Sequence, residues 1–180
     1  FEGRLFTYAE LDARANQYAH WALAQGFTEG DSVALFMDNR PDYIAFWLGM
    51  AKVGVVTALI NNSLQGQGLA HCINISNAKA VVISEEQGEL LDSAKSLLNG
   101  DIAFWSLGGT IDGAQSLDDA FATLSTERPD PSIRGKTTSN DLCLYVYTSG
   151  TTGLPKAAKL THTRTLKMMH SFIAPCRITP

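Results

Sequence analysis

With 180 residues, 45% of them hydrophobic and 18% charged, the chain has the make-up of an ordinary globular domain with enough apolar content for one core. Its net charge of −4 gives no electrostatic reason to bind nucleic acid or an anionic membrane. No apolar run approaches the roughly eighteen residues that cross a bilayer, and the start shows no signal-peptide pattern.

Thr7-Tyr-Ala-Glu10 has the spacing of a capping box, and Leu11, Ala15, Tyr18 and Ala22 follow at helical intervals, which predicts a helix over 8–25. A turn at 27–30 leads to a buried strand at 31–37. Asp38-Asn-Arg-Pro41 opens a second helix, with proline in its first turn and apolar residues at Tyr43, Ile44, Trp47, Leu48 and Ala51. It ends at Gly54, and 55–60 forms the next strand. Strand, helix and strand in such a short span make a βαβ unit, so a parallel sheet with a right-handed crossover is expected. The alternation continues with a helix at about 65–76, a strand at 79–84, a helix at about 85–98 and a strand at 102–107. Ser116-Leu-Asp-Asp119 caps a short helix to about 124, its two carboxylates suited to the positive end of the helix dipole. Pro129, Pro131 and Gly135 mark 125–140 as a connecting segment. A helix from 162 to 174 closes the chain. The expected fold class is α/β, with alternating strands and helices and a mainly parallel sheet.

The functional side chains concentrate at Thr148-Ser-Gly-Thr-Thr-Gly-Leu-Pro-Lys156. Gly150 and Gly153 let the backbone approach a ligand closely, and successive N–H groups in such a turn can form a concave anion site. Thr148, Ser149, Thr151 and Thr152 add short rotatable donors, and Lys156 adds a flexible point charge suited to phosphate oxygens. The stretch is not a Walker loop: four residues separate Gly150 from Pro155, and Ala157 follows the lysine. Proline also lacks an amide donor and biases Leu154 away from helix, so a short strand at 157–161 is expected after the loop. Before it, 142–147 is apolar on both alternating faces, as in a strand covered on both sides. Open α/β sheets bind ligands at the carboxyl ends of such strands. From composition alone, a surface hairpin with a solvated lysine stays open as the alternative.

Tyr147-Thr-Ser-Gly-Thr-Thr-Gly-Leu-Pro-Lys-Ala-Ala158 resembles the AMP-binding signature of the adenylate-forming superfamily. That superfamily includes acyl-CoA synthetases, luciferases and the adenylation domains of peptide synthetases. Phe6-Thr-Tyr-Ala-Glu-Leu11, Trp47-Leu-Gly-Met-Ala-Lys-Val-Gly54 and Thr57-Ala-Leu-Ile-Asn61 resemble its early elements. The segment from Ala70 to Ala80, with the Leu-Pro-Lys-Ala-Ala form of the loop, is similar to the fatty acid transport protein branch, the very-long-chain acyl-CoA synthetases. The resemblance implies a two-step ligase that uses ATP to make an acyl-adenylate and coenzyme A to make the thioester. It assigns 148–153 to the β- and γ-phosphates and makes Lys156 their charge partner. Magnesium ligands, adenine and ribose contacts and a mobile C-terminal domain are expected beyond Pro180, with this chain as part of an N-terminal domain, inactive alone. The opening Phe1 fits that expectation. A cytoplasmic setting is expected, with peripheral membrane association implied for the whole protein although the visible stretch shows no anchor. An aryl- or amino-acid-activating ligase, or a non-catalytic binding or scaffold module, stays open.

Other candidates read as structural. Cys72, Cys143 and Cys176 are far apart and never in CxxC spacing, which fits buried thiols in a reducing compartment. His71 beside Cys72 points elsewhere on its helix and reads as packing. Trp21, Trp47 and Trp105 are separated and read as core or rim. Gly108-Gly109 to Gly113 lacks the spacing of a dinucleotide site. His162 and Thr163 read as a helix cap.

Overall fold

The computed structural model describes residues 1–135, 137–150 and 153–173. At its centre lies β1 (Ser32–Phe36), every residue of which is buried. It pairs in parallel with β2 (Val56–Leu59) on one side and β3 (Ala78–Ser84) on the other. β4 (Ala103–Leu107) and the two-residue β5 (Gln115–Ser116) extend the β3 side, also in parallel. β6 (Leu142–Gly150) extends the β2 side in parallel, and β7 (Gly153–Thr161) closes that edge antiparallel to β6. The sheet therefore has seven strands in the order β5-β4-β3-β1-β2-β6-β7. The mainly parallel α/β class expected from the alternation is the one observed.

Because strand side chains alternate, one sheet feeds two cores. Val33 and Leu35 join the core under α1 (Tyr8–Ala24), α2 (Pro41–Lys52) and α5 (Leu117–Phe121). Ala34 and Phe36 join the other, under α3 (Gly66–Ile75) and α4 (Gly88–Lys95). Helices on both faces explain why the central strands read as continuous apolar runs. A final helix, α6 (His162–Ile173), follows β7.

The capping box forms as its spacing predicts: the Glu10 N–H donates to Thr7 Oγ1 at 3.1 Å, and the Thr7 N–H to Glu10 Oε2 at 2.8 Å. α1 and α2 pack closely because Gly49 has no side chain; a Cβ there would lie 2.5 Å from the Ala15 carbonyl oxygen. Tyr18 Oη and Arg14 Nε both donate to Asp42 Oδ1, at 2.9 and 2.7 Å. The connecting segment is fastened to α1, since Asn16 Nδ2 donates to the Thr126 carbonyl at 2.7 Å and Arg128 reaches Asp12 at 3.4 Å.

Several expectations need correction. The helix predicted over 85–98 is a 3₁₀ turn at Glu85–Gln87 followed by the shorter α4, consistent with glycine at position 88 being a poor helix former. Trp21 and Trp105 are not separated: their rings meet edge to face at 5.5 Å in the core. α6 is capped not by His162 or Thr163 but by Thr161, whose Oγ1 accepts from the Arg164 N–H at 3.2 Å. Thr163 Oγ1 donates instead to the Ser139 carbonyl at 2.8 Å. β6 is only half covered, with Tyr145, Val146 and Tyr147 of intermediate exposure. A bulge between Leu142 and Leu144 also interrupts its alternation. Cys143 thus accepts a 3.4 Å hydrogen bond from Trp47 Nε1 of α2, whereas Tyr145 and Tyr147 pack on the α3–α4 side.

Candidate functional site

The stretch read as a loop at 148–156 is largely strand. β6 runs on to Gly150 and β7 begins at Gly153, with Thr148 opposite Lys156 and Gly150 opposite Gly153. Threonine favours strands, and Pro155 is tolerated because β7 is the edge strand, where an amide donor can be spared. The hairpin left open from composition is therefore the local structure of this stretch. Thr151 and Thr152, the two other hydroxyl candidates, lie outside the described residues.

This hairpin overhangs the sheet. β2 pairs with β6 only as far as Val146, so the strands beyond it project past the carboxyl edge as a two-stranded arm. Thr148, Ser149, Gly153, Leu154 and Lys156 are all exposed. Directly opposed residues of an antiparallel pair share a face, with Cβ atoms about 5 Å apart, so the Thr148 hydroxyl and the Lys156 ammonium issue side by side. Among the described residues Lys156 forms no ion pair. Gly153 has φ +129°, a conformation that residues with a side chain rarely adopt. An exposed cation beside a hydroxyl, on the same hairpin as Gly153, can donate to an anion that comes from solvent.

The arm rests on α3. His71 Nε2 lies 3.1 Å from the Pro155 carbonyl oxygen, and Tyr147 Oη donates to the Cys72 carbonyl at 2.7 Å. Burial raises the Tyr147 pKa well above the usual phenol range, so it stays a donor at neutral pH. Sequence reasoning gave His71 only a packing role; nothing in one sequence reports that α3 crosses beneath β7. Cys72 and Cys143 are buried, which pushes the Cys72 thiol up to about 11 and also raises Cys143, so neither is a thiolate near neutrality; Cys176 lies outside the described residues. Burial lowers the pKa of His162, which stands at the far end of β7 from the tip.

The crevice where ligands commonly enter such sheets is occupied by the protein itself. The chain reverses its direction of growth at β1, and the carboxyl ends of β1 and β3 flank that switch point. There Arg40 pairs with Glu86 at 2.9 Å, and Gln87 Nε2 donates to Asp38 Oδ1 at 3.3 Å. Asp38 also bonds Asn62.

A family model described as AMP-binding enzyme matches residues 1–179. The chain belongs to the AMP-binding enzyme family. It is 38% identical over 172 residues to long-chain fatty acid transport protein 6 of Mus musculus, a match covering 93% of this chain and 27% of that protein. It is 41% identical over 171 residues to long-chain fatty acid transport protein 1 of Bos taurus, covering 90% of this chain and 26% of the relative. The chain thus spans about a quarter of the length of these curated relatives. Among solved structures it is similar to ATP-bound MatB from Rhodopseudomonas palustris, with a TM-score of 0.78 and 27% identity over 99% of this chain and 34% of that one. It is also similar to a Mycobacterium tuberculosis fatty acyl CoA synthetase, with a TM-score of 0.70 and 26% identity over 87% of this chain and 29% of that one. Among the described residues of the arm, Thr148, Ser149 and Lys156 carry exposed donors. No helix among the described residues is long and apolar enough to cross a membrane.

Proposed function

We propose that this chain is the phosphate-gripping part of an N-terminal domain in a longer ligase, which activates long- or very-long-chain fatty acids with ATP and passes the acyl group to coenzyme A. In the first step a carboxylate oxygen attacks the α-phosphorus and pyrophosphate leaves. In the second, the coenzyme A thiol displaces AMP. The observation that carries this reading is the exposed Thr148–Lys156 pair on an overhanging arm, in a chain so similar to fatty acid transport proteins. The backbone and hydroxyls of Thr148, Ser149, Gly150, Thr151, Thr152 and Gly153 donate to the β- and γ-phosphate oxygens. Lys156 balances the charge that grows on the departing pyrophosphate. Donors already in place need no reorganisation as that charge develops.

Among the described residues no three His, Cys, Asp or Glu side chains gather as a metal site. The segment 125–140 serves as the connection between the first five strands and the β6–β7 arm.

The test is carboxylate-dependent ATP–pyrophosphate exchange by the full-length protein with a panel of acids. Long-chain fatty acids are expected to support exchange, and amino or aryl acids not. Lys156→Ala is expected to slow it roughly ten- to a hundred-fold, the worth of one charge-assisted hydrogen bond. An unchanged rate would remove Lys156 from the phosphate site, and exchange with another acid class only would replace the substrate.

A further inference from the structure

We infer that His71 is a positioning residue for the phosphate-gripping arm, fixing through Pro155 where Lys156 stands; this rests on the reading of the arm just given. A two-stranded hairpin that has left its sheet is marginal by itself in water and needs support from another element. Here the outer residues cannot supply it, because Thr148, Ser149, Gly153, Leu154 and Lys156 are exposed. Support comes from two consecutive residues of α3, each holding a different strand. Cys72 accepts from Tyr147 on β6, and His71 donates to Pro155 on β7. Tyr147 and Pro155 are the residues directly before Thr148 and Lys156, which face each other across the hairpin. The pair that presents the hydroxyl and the ammonium is therefore tied to the same helix on each of its two strands.

The chemistry of the contact is one-sided. A carbonyl can only accept, so the hydrogen sits on Nε2 of His71. Pro155 brings no amide donor to the strand, and among the described residues β7 has no neighbour on its outer side. The imidazole N–H thus anchors the strand where its own ladder is weakest.

The experiment measures ATP–pyrophosphate exchange by the full-length protein against ATP and against the fatty acid. His71→Leu is expected to lower kcat/KM for ATP about tenfold, the size of one lost positioning hydrogen bond, while KM for the acid and the melting temperature stay near the parent values. His71→Gln, which keeps an N–H at similar reach, is expected to recover most of the loss. A His71→Leu protein with parental ATP kinetics overturns the inference. So does one in which acid KM and melting temperature fall away together with ATP kinetics and glutamine gives no rescue. If the leucine variant does not fold, His71→Asn, polar but too short to reach Pro155, is expected to show the same loss, and parental kinetics in it overturn the inference equally. Lys156→Ala in the same assay keeps the two readings apart. If it too is parental, the phosphate site itself is wrong; if it is slowed and His71→Leu is not, only the positioning role fails.

Discussion

Lys156 and Gly153 serve the arm in different ways. The lysine contributes a charge, whereas the glycine contributes a backbone conformation, φ +129°, that a side chain would strain. A Cβ at Gly153 would meet nothing within 4 Å, so Gly153→Ala meets no clash and its cost is conformational. That cost should be about 1–3 kcal/mol, taken up at the tip rather than in the core. The variant is expected to melt close to the parent and to show weakened ATP kinetics; a large drop in melting temperature would mean the tip is coupled to the core. Asp12 shows a different residue-scale effect. The Lys52 ammonium, hydrogen-bonded at 2.5 Å, holds its carboxyl below the usual range, with Arg128 adding to the effect. The folded chain therefore binds this proton more weakly than the unfolded one. The stabilisation is present above the unfolded value of about 4 and is lost as pH falls through the lower folded value. The urea midpoint should fall between about pH 5 and 3, and Asp12→Asn should flatten part of that fall.

At the scale of elements, α1 and α2 meet through Gly49. Adding a methyl group there brings it 2.5 Å from the Ala15 carbonyl oxygen and 2.7 Å from Tyr18 Cβ, so the helices must separate. Gly49→Ala should cost about 1–3 kcal/mol despite the better helix propensity of alanine, which urea unfolding would measure. The helices and the central strands were legible because their apolar residues recur with the period of each element, and the Thr7–Glu10 cap because its spacing is local. The arm was not. Gly150, Gly153 and Pro155 carry the composition of a loop, and only the pairing of Thr148 with Lys156 reveals a ladder. The bulge at Cys143, the meeting of Trp21 with Trp105 and the contact of His71 with Pro155 all join residues distant in sequence. No periodicity encodes such partners. Of the candidate site, the residue types and their exposed cation were readable, and the helix beneath them was not.

Over the whole molecule, stability should grade outward from β1. That strand is buried along its length and flanked on both sides, whereas β5 is two residues long and β7 is an exposed edge. Amide hydrogen exchange is expected to be slowest in β1 and β3 and fastest at the arm, because local opening there breaks few buried contacts. Equal protection in β7 and β1 would show that another element covers that edge. The arrangement puts the proposed phosphate contacts on the least anchored part of the sheet and the unfolding resistance in its centre, so ligand contact and core stability can change separately.

Since Lys156 sits on a strand, its direction depends on how many residues follow it in the ladder as well as on which ones. Side chains alternate with a period of two where the ladder is regular, so one residue inserted or deleted between Lys156 and Leu160 would turn the ammonium to the opposite face, toward α3. Two residues would restore its direction while moving it along the arm by about 7 Å. A flexible loop would absorb either change. The spacing from Lys156 to Leu160, where the ladder is regular, should therefore tolerate substitution far better than a change in length, and an odd-numbered change least of all.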